Sequence, residues 1–313
     1  MNFQQLRSVR EAALHSFNLT EVARALNTSQ PGVSRQIREL EEELGGEIFV
    51  RAGKRLTSLT RMGEIVMPIV RNMLADCETL RQAGTQFARQ SKGTLAIAAT
   101  HSQARYALPR AVQRFRSRFP EVRFNLHQGS PEQVAEMLID GEADIGIATE
   151  ALARHDALVA LPCERWTHSV IVPDGHPLLD ETLTLDALAR HPIITYIRGY
   201  TGRTHIDEAF TCAHLEINLV LDAMDADVIK TYVALGLGVG IAASIAFDPE
   251  RDAPLRAIDA GGLFGSNLTR LAVRRGRVLR SYVYDFVETF APALTKEAVD
   301  AALAAAPVAS VDA

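Results

Sequence analysis

Apolar residues in the first sixty positions recur at helical spacing and predict three short helices followed by a hairpin. The three apolar faces consist of Leu6, Val9, Ala13 and Phe17, of Val22, Ala23 and Leu26, and of Val33, Ile37, Leu40 and Leu44. Thr20 is a suitable N-cap for the second helix. Ser29 can cap the third, whose first turn accommodates Pro31 because an N–H would have no partner there. Two short strands around residues 52–54 then predict a hairpin with a basic tip.

Residues 60–90 form one long helical pattern. Its apolar positions lie on a single seam, made of Ile65, Ile69, Met73, Leu80 and Phe87. Pro68 either bends this helix or marks its start. Such a seam beside a small domain stays exposed unless another chain covers it, so we interpret the helix as a dimerisation linker. The alternative is a helix that packs back on its own chain.

Beyond a polar break at residues 90–93, strands and helices alternate along the chain. Strands are predicted at 95–99, 122–127 and 143–148, with helices at 105–119 and 131–140 between them. Similar units recur from 169 to 242, and a strand near Leu268 returns to the first half. This alternation predicts parallel sheet with right-handed crossovers. Two crossings of the chain between two lobes would place a cleft between them.

The net charge of −5 averages over parts of the chain that differ. Residues 1–61 contain nine Lys and Arg against seven Asp and Glu, whereas the remainder has a net charge of −7. Any contact with DNA is therefore expected to be local and N-terminal. No apolar run reaches the length of a membrane span, and the N-terminus lacks the apolar core of a signal peptide, so a cytoplasmic protein is expected.

Three isolated cysteines, Cys77, Cys163 and Cys212, form no CxxC pair. They fit a reduced protein without disulfides or zinc, and we interpret them as small buried hydrophobic residues. A redox-sensing pair of Cys163 and Cys212 is the alternative. The carboxylates, Asp144 among them, and the nine histidines show no metal-ligand pattern.

The second and third helices have the spacing of a helix-turn-helix unit, in which the second helix of the pair enters the major groove. Gln30 and Ser34 can hydrogen-bond to base edges, while Arg35 and Arg38 can reach a base or a phosphate. The basic hairpin can grip the flanking backbone or minor groove. The DNA-binding set is therefore predicted to be Ser29, Gln30, Pro31, Ser34, Arg35, Arg38, Arg51, Lys54 and Arg55. The competing interpretation is a three-helix packing module with a solvated basic face.

The stretch NLTEVARALNTSQPGVSRQIRELEEELGGEIFVRAGKRLTSLTRMG closely resembles the DNA-binding region of LysR-type transcriptional regulators. The Ser-Gln-Pro turn, Ser-Arg-Gln-Ile and Leu-Glu-x-Glu-Leu-Gly all match, and the family's Leu-Phe-x-Arg appears here as Ile48-Phe49-Val50-Arg51. The resemblance implies an α/β protein with an N-terminal winged helix-turn-helix, a long linker helix and a two-lobed effector domain similar to periplasmic binding proteins. It also implies dimers or tetramers that bind promoter DNA.

These patterns together predict the domain bounds. The winged helix-turn-helix covers 1–59, the linker 60–90, the effector domain 91–300 and a flexible tail 301–313. Lobe I is predicted at about 91–163 and 267–300, and lobe II at about 164–266.

Three motifs narrow the resemblance to the cysteine-regulon (CysB- and Cbl-like) branch of the family: ATHSQARYALP, GEADIGIATE and YTGRTHIDEAF. In that branch the first motif usually reads Thr-His-Thr-Gln, and Ser102 keeps the hydroxyl while losing a methyl. The anion pocket of the branch then maps onto Thr100, Ser102, Gln103, Thr149 and Thr201, the last on a loop of the second lobe.

Neutral donors at the junction of a strand and a helix suit a ligand that brings its own charge. A helix N-terminus offers free N–H groups and partial positive charge. Each hydrogen bond to a charged group contributes roughly 1.5–3 kcal/mol, so four or five can offset much of an anion's dehydration. The alternative is that Thr100 and Ser102 only cap the helix. A nucleophilic Ser102 beside His101 is not supported, because no Gly-x-Ser-x-Gly elbow surrounds it, and we predict that the protein is not an enzyme.

The sequence therefore predicts a regulator, expected to be an activator, of genes for sulfur assimilation, cysteine biosynthesis or organosulfur utilisation. No cofactor is expected. The resemblance suggests sulfate, thiosulfate, adenosine phosphosulfate, O-acetylserine or N-acetylserine as the effector. Expected partners are promoter double-stranded DNA, further copies of the chain as a homodimer or homotetramer, and RNA polymerase, with no membrane. Two alternatives stay open: a regulator of the same family that senses a different small anion, and a solute-binding protein or enzyme without a DNA role.

Overall fold

The computed structural model describes residues 1–53, 55–86, 92–200 and 202–305. They fall into two compact units, Met1–Ala88 and Arg89–Ala313. The predicted boundary between residues 90 and 91 lies outside the described residues, as does Phe87 of the linker seam. Within the described residues no helix is long and apolar enough to cross a membrane.

The described part of the first unit has the predicted order of three helices, a hairpin and a long helix. Its elements are α1 (Phe3–Leu14), α2 (Leu19–Ala25), α3 (Gln30–Leu44), β1 (Phe49–Ala52), β2 (Arg55–Leu59) and α4 (Arg61–Gln86). β1 and β2 pair in antiparallel fashion, with Ala52 opposite Arg55. Gly53 has a φ of +64°, which a tight turn requires and glycine adopts without strain. The winged helix-turn-helix is therefore confirmed.

The turn before α3 forms as predicted, whereas the cap of α2 does not. Ser29 Oγ accepts the N–H of Gly32 at 3.2 Å, and Pro31 lies in the first turn of α3. The prediction of Thr20 as the cap of α2 is wrong, because Asn18 Oδ1 accepts the N–H of Thr20 at 3.1 Å. Thr20 is already inside the first turn of the helix, and asparagine is among the most favourable N-cap residues.

The core of the first unit is built from the predicted apolar faces. The buried members include Leu6, Val9, Val22, Ala23, Val33, Ile37 and Leu40. Leu44 is the exception, since 41% of its surface is exposed. It is the last residue of α3, which ends at a left-handed Gly45, so its side chain extends beyond the packed faces of the helices.

α4 has two apolar faces rather than one. Met67, Val70 and Leu74 are buried in the core of the first unit, and Met73 packs partly against it. The exposed face carries Ile65 (64% exposed), Ile69 (54%) and Leu80 (74%). Pro68 lies inside α4, which begins seven residues earlier, so it does not mark the start of the helix. One face therefore packs on its own chain, and most of the predicted seam remains uncovered.

Lobe I of the second unit contains a five-stranded sheet with the order β4-β3-β5-β12-β6. Its strands are β3 (Gly93–Ala99), β4 (Val122–Gln128), β5 (Ile145–Ala148), β6 (Leu158–Trp166) and β12 (Asn267–Arg274). Its helices are α5 (Leu108–Arg118), α6 (Pro131–Ile139), α11 (Ser281–Phe290) and α12 (Lys296–Ala304). β3 pairs in parallel with β4 and β5, and β12 is antiparallel to β5 and β6.

Lobe II contains the second five-stranded sheet, with the order β11-β7-β10-β8-β9. Its strands are β7 (His168–Pro173), β8 (Ile193–Tyr196), β9 (Leu219–Ala223), β10 (Val239–Ala243) and β11 (Leu255–Asp259). Its helices are α7 (Leu185–Ala189), α8 (Arg203–Cys212), α9 (Ala226–Ala234) and α10 (Gly261–Phe264). The predicted two-lobed α/β architecture is confirmed, although both sheets are mixed rather than purely parallel.

Two boundaries of the lobes differ from the predicted ones. β6 runs to Trp166 rather than stopping at residue 163, because it continues to pair with β12 as far as Asn267. At the C-terminus, α12 extends the ordered chain to Ala304, where a flexible tail was expected from 301. Alanine has the highest helix propensity, and Val299 anchors the helix in the core of lobe I. Residues 306–313 of the predicted tail lie outside the described residues.

Candidate functional site

The predicted recognition residues lie at the start of α3 and on its outward face. Gln30, Pro31, Arg35 and Arg38 are exposed, and Ser34 is half-buried. Because α3 presents its buried residues to the core on the opposite side, these side chains are available to a macromolecular partner.

Arg35 is held in place by a neighbour on its own helix. Its Nε donates to Glu39 Oε1 at 2.7 Å, and Gln5 Nε2 donates to the other carboxylate oxygen at 3.1 Å. The hydrogen bond from Arg35 is the main reason why the pKa of Glu39 is lowered. The Arg35 side chain is 81% exposed, and such an exposed ion pair contributes little, so a phosphate or base edge can replace the carboxylate at small cost.

The hairpin is fastened to α3 by a buried carboxylate. Glu41 Oε1 accepts the N–H of Ile48 at 2.9 Å and that of Phe49 at 3.2 Å, while Glu41 Oε2 accepts from Arg51 Nη2 at 2.5 Å. The side chains of Glu41 and Arg51 are only 8% and 22% exposed. Arg51, predicted to contact DNA, is therefore first of all a support of the hairpin.

The remaining hairpin residues divide between described and undescribed parts of the chain. Arg55 is exposed and borders a surface depression of about 460 Å³ together with Phe17, Thr20 and Gln30. A recognition-helix residue and a hairpin arginine therefore face one concave surface. Lys54 lies outside the described residues.

In the second unit, Thr100 and Thr149 lie side by side at the carboxyl edge of the lobe I sheet. β3 and β5 run in parallel with Ala99 opposite Ile147, and each threonine follows the end of its strand. The N–H of Thr100 donates to the carbonyl of Ile147 at 3.2 Å. Both threonines are buried, at 3% and 8% exposure. In α/β folds the carboxyl edge of the sheet is the usual place for a ligand.

The helix that follows β3 starts at His101, earlier than the predicted 105, and becomes π-helical from residue 103. Residues 103–107 form the π-helix, in which the N–H of Leu108 donates to the carbonyl of Gln103, five residues back. The N–H of Ala104 donates to the carbonyl of Thr100 at 2.9 Å, which closes the first turn. The N–H groups of residues 101–103 have no acceptor inside the helix, so they are available to an anion.

Ser102 and Gln103 provide side-chain donors in the same place. The Ser102 hydroxyl is buried and has no hydrogen-bond partner among the described residues, and Ser102 makes no capping bond. Gln103 Nε2 donates to Thr269 Oγ1 at 2.9 Å. A buried hydroxyl without a partner is costly, which favours a bound ligand or a water molecule as its partner. Thr201 lies outside the described residues.

On the lobe II side, Tyr196 ends β8 and is fully buried. Burial raises the pKa of its hydroxyl to about 12, an effect partly offset by the N–H of Ala243, which donates to that oxygen at 3.1 Å, and by the nearby Ser102 hydroxyl, which lies outside hydrogen-bond geometry. Arg203 is also buried, but its Nε donates to Asp207 at 2.7 Å and its Nη1 to the carbonyl of Tyr196. Its charge is therefore already balanced by Asp207.

Two buried polar residues of strand β12 extend the site toward lobe II. Asn267 and Thr269 are two residues apart, so they point to the same face of the sheet, and both are buried. A Cβ on Gly202 would lie 2.3 Å from Asn267 Oδ1, which shows that the backbone at the start of α8 touches this side chain. Gly202 also has a φ of +70°, which disfavours other residues.

Sequence reasoning missed several members of this junction. Among the described residues, Asn267 Nδ2 and Oδ1, Trp166 Nε1 and Arg270 Nε are buried without hydrogen-bond partners. The available signal was the alternation of β12, in which Asn267 and Thr269 occupy the face that is buried elsewhere in the strand. Their pairing with β6, about one hundred residues away in the sequence, could not be inferred from local pattern.

Possible metal ligands also lie at this junction. His101, Asp225 and Asp227 bring possible metal ligands within 4.8 Å of one another. Asp227 is, however, engaged by Arg105, Tyr106 and Lys230, and Asp225 accepts the N–H of Val228 as the cap of α9. These carboxylates are therefore already paired within the protein.

The cysteines have unequal surroundings. Cys163 is half-buried in β6, and burial raises the pKa of its thiol to about 11, so little reactive thiolate exists at neutral pH. Cys77 is also half-buried, whereas Cys212 on α8 is exposed, contrary to the prediction that all three are buried. The raised pKa of Cys163 argues against the redox-pair alternative.

The winged helix-turn-helix unit (the DNA-reading unit) and the two-lobed unit together define a bacterial transcriptional regulator. The chain belongs to the LysR family. Residues 3–64 match the model of the bacterial regulatory helix-turn-helix protein, lysR family. Residues 88–295 match the model of the LysR substrate binding domain. The family assignment supports the prediction that the chain is not an enzyme.

Two curated relatives come from Burkholderia cenocepacia. The chain is 54% identical to the HTH-type transcriptional regulator SsuR over 297 residues, covering 95% of this chain and 96% of that protein. It is also 54% identical to the HTH-type transcriptional regulator CysB over 304 residues, covering 97% of each. The cofactor-binding domain of the Cbl transcriptional regulator is similar in structure, with a TM-score of 0.66 and 45% identity over 69% of this chain and 95% of that one. The predicted resemblance to the CysB- and Cbl-like branch is confirmed.

Proposed function

We propose that this LysR-family regulator controls genes of sulfur assimilation or organosulfur use, and that it responds to a small anion bound between lobes I and II. The observation that carries the anion site is the set of buried neutral donors where β3 gives way to a helix, with the Ser102 hydroxyl partnerless among the described residues. The similarity to SsuR, CysB and Cbl supports the choice of pathway. Sulfate, thiosulfate, adenosine phosphosulfate, O-acetylserine and N-acetylserine are the proposed effectors.

The donors suit an anion because none of them carries a competing charge. Thr100, Ser102 and Thr149 contribute hydroxyls, and residues 101–103 contribute backbone N–H groups. A hydrogen bond to an ionised group contributes about twice as much as one between neutral groups. Thr201 is proposed as the donor from lobe II.

Titration calorimetry of the full chain against the five compounds tests the effector. Ser102→Ala and Thr100→Ala should each weaken binding by about ten- to a hundredfold, because each removes one charge-assisted hydrogen bond. Thr211→Ala is the matched control, since Thr211 Oγ1 donates within its own helix, to the carbonyl of Asp207 at 2.8 Å. Equal affinity in Ser102→Ala and wild type would exclude Ser102 from the site.

The same titration decides between the sulfur assignment and its alternative. The pocket donors recognise negative charge and not sulfur as such, so a LysR-type regulator that senses another small anion would use the same residues. Tight binding of an unrelated anion, with no response to any of the five compounds, would favour that alternative.

Promoter binding is proposed to occur through α3 and the hairpin. Footprinting upstream of sulfur genes, with and without effector, should show protection that changes on effector addition. Arg35→Ala should weaken protection and, if Arg35 contacts a phosphate, should reduce the salt dependence of binding. Arg190→Ala is the control, because Arg190 is paired with Glu181 in lobe II.

The exposed face of α4 is the proposed site of self-association. Ile65, Ile69 and Leu80 offer an apolar stripe on a helix longer than its own unit can cover. A homodimer, or a homotetramer built from two such dimers, would bury it and present two DNA-reading units to one promoter. The DNA-bound regulator is also proposed to activate transcription by contacting RNA polymerase.

A further inference from the structure

One aromatic side chain of lobe I packs into lobe II. Tyr106 extends from the π-helix at 103–107 and packs against the lobe II cluster that includes Ile171, Ile194 and Tyr196. Its hydroxyl donates to Asp227 Oδ1 at 2.9 Å. Three cationic groups surround its ring, at 5.3 Å (Lys230), 5.4 Å (Arg251) and 5.8 Å (Arg105) from the centroid. This arrangement combines apolar packing, a hydrogen bond and cation–π contacts in one connection between the lobes.

Asp227 is contacted by basic side chains from both lobes. From lobe I it is approached by Arg105 Nε and, at 3.8 Å, by His101 Nε2. From lobe II it is approached by Lys230 Nζ at 3.3 Å. Lys230 is buried and is itself fixed by both oxygens of Asp252 at 2.9 Å. Asp227 therefore has a defined orientation at the start of α9.

The charge on Asp227 is retained in this setting. Burial on its own would raise the pKa of the carboxyl, but the hydrogen bond from Tyr106 and the positive charges of Lys230 and Arg105 lower it overall. An ionised acceptor makes a stronger hydrogen bond to the phenol than a neutral one.

The anion site and this contact share one short helical segment. The segment begins with the donors at 100–103 and reaches Tyr106 within a single π-helical turn. Its first turn is anchored in lobe I, where Gln103 bonds Thr269, and its last residues are anchored in lobe II through Tyr106. π-Helical turns are rare and frequently occur at functional sites. A shift of the first turn would therefore move a segment that also contacts lobe II.

We propose that Tyr106 and Asp227 are positioning residues that couple anion occupancy at residues 100–103 to the arrangement of lobes I and II. The inference rests on the proposed function, since it presupposes an anion at that site. Tyr106 acts through the backbone of its own segment and does not contact the anion. The lobe arrangement in which Tyr106 reaches Asp227 binds the anion more tightly than one in which the two are apart, and by reciprocity the anion favours that arrangement.

The test uses the full chain with inorganic sulfate and thiosulfate as probes. Tyr106→Phe removes the hydroxyl and keeps the ring, and Asp227→Asn removes the acceptor charge. Each should weaken anion binding at least fivefold by calorimetry. The double variant should bind no more weakly than the weaker-binding single variant, because both single changes act on the same hydrogen bond.

Hydrogen exchange provides a measurement that a merely structural role would not affect. In the wild type, the anion should slow amide exchange both at 101–108 and in α9 of lobe II. In Tyr106→Phe the slowing should persist at 101–108 and be lost in α9. Tyr284→Phe is the matched control, because Tyr284 makes the same kind of hydrogen bond, to Asp300, within lobe I.

The outcomes separate this inference from the proposed function. If the wild type binds neither anion, the coupling to these two anions is refuted, and the effector proposal is reduced to the other three compounds. If the wild type binds, and Tyr106→Phe behaves as Tyr284→Phe in both affinity and exchange, the coupling alone is refuted. Loss of the α9 response in Tyr106→Phe with an intact response at 101–108 supports it.

Discussion

The carboxylate of Glu41 determines where the hairpin lies relative to the recognition helix, so its removal should be among the most damaging single changes in the DNA-reading unit. Glu41→Ala deletes the acceptor of the Ile48 and Phe49 N–H groups and leaves Arg51 without its counter-ion. Hydrogen bonds to a charged group contribute about 1.5–3 kcal/mol each. Removing one partner of a buried ion pair costs roughly 3–5 kcal/mol. We expect a loss of about 3–5 kcal/mol in the free energy of opening the hairpin.

Glu41→Gln separates the two parts of this loss. Both backbone N–H groups donate to Oε1, which the amide retains, whereas the atom that faces Arg51 becomes an N–H₂ group. The expected loss is then about 1–3 kcal/mol, the part due to the ion pair. Glu42→Ala is the control, because Glu42 is the next residue of α3 and is exposed.

Amide hydrogen exchange of the full chain over residues 47–59 measures the opening free energy directly. Fluorescence anisotropy with promoter DNA should give affinities that fall in the order wild type, Glu41→Gln, Glu41→Ala. If Glu41→Ala exchanges no faster at Ile48 and Phe49 than Glu42→Ala does, the carboxylate does not hold the hairpin and the reasoning is refuted.

Three further changes have defined outcomes. Gly63→Ala should lower the free energy of unfolding by about 2–4 kcal/mol in thermal unfolding, because the new Cβ would lie 2.1 Å from the carbonyl oxygen of Ile48, a backbone atom that cannot move aside; Gly262→Ala, which meets nothing within 4 Å, is the control. Ile69→Glu should reduce the oligomer to smaller species in sedimentation velocity, whereas Val278→Glu, exposed on lobe I, should not; an unchanged oligomer would remove α4 from the interface. The pKa of His176 is lowered in the folded protein, first by burial and then by the nearby His191. The folded state therefore binds fewer protons at this residue than the unfolded state does. The contribution of His176 to stability is complete above about pH 6.5, the ordinary histidine pKa, and falls as the pH drops toward the lowered pKa of the folded state. Urea unfolding at pH 7.5 and 5.5 should show a smaller loss in His176→Asn than in wild type, because asparagine keeps an acceptor for the N–H of Leu178 without the titration; equal losses would contradict it.

The winged helix-turn-helix was predictable because local periodicity and turn chemistry determine it. Val33, Ile37 and Leu40 are buried as their spacing predicts, and Ser29 caps α3. Asn18 was missed in favour of Thr20 because both residues are good caps, and only the backbone conformation distinguishes them. Periodicity also identified the exposed seam of α4, but not the second face at Met67 and Val70, because a helix pattern does not say which neighbour covers it.

In the candidate anion site, the strand-to-helix junction could be found from sequence and the connection between lobes could not. Thr100 and Ser102 follow an apolar run, which is a local signal. Tyr106 and Asp227 are 121 residues apart, and Asn267 contacts the backbone at Gly202, which lies in a distant segment of the sequence. π-Helical turns are rare, and the local sequence pattern did not predict the one at 103–107 that carries Tyr106.

The uncovered stripe on α4 also gives the concentration of the regulator a role in promoter binding. In the proposed self-association, burial of Ile65, Ile69 and Leu80 would favour the paired species, whose share would grow with the concentration of the chain. Dilution would separate the copies, and each copy would then bind the promoter weakly through a single DNA-reading unit. A cell that changes how much of this protein it makes would thereby alter promoter occupancy even when the metabolite level stays constant.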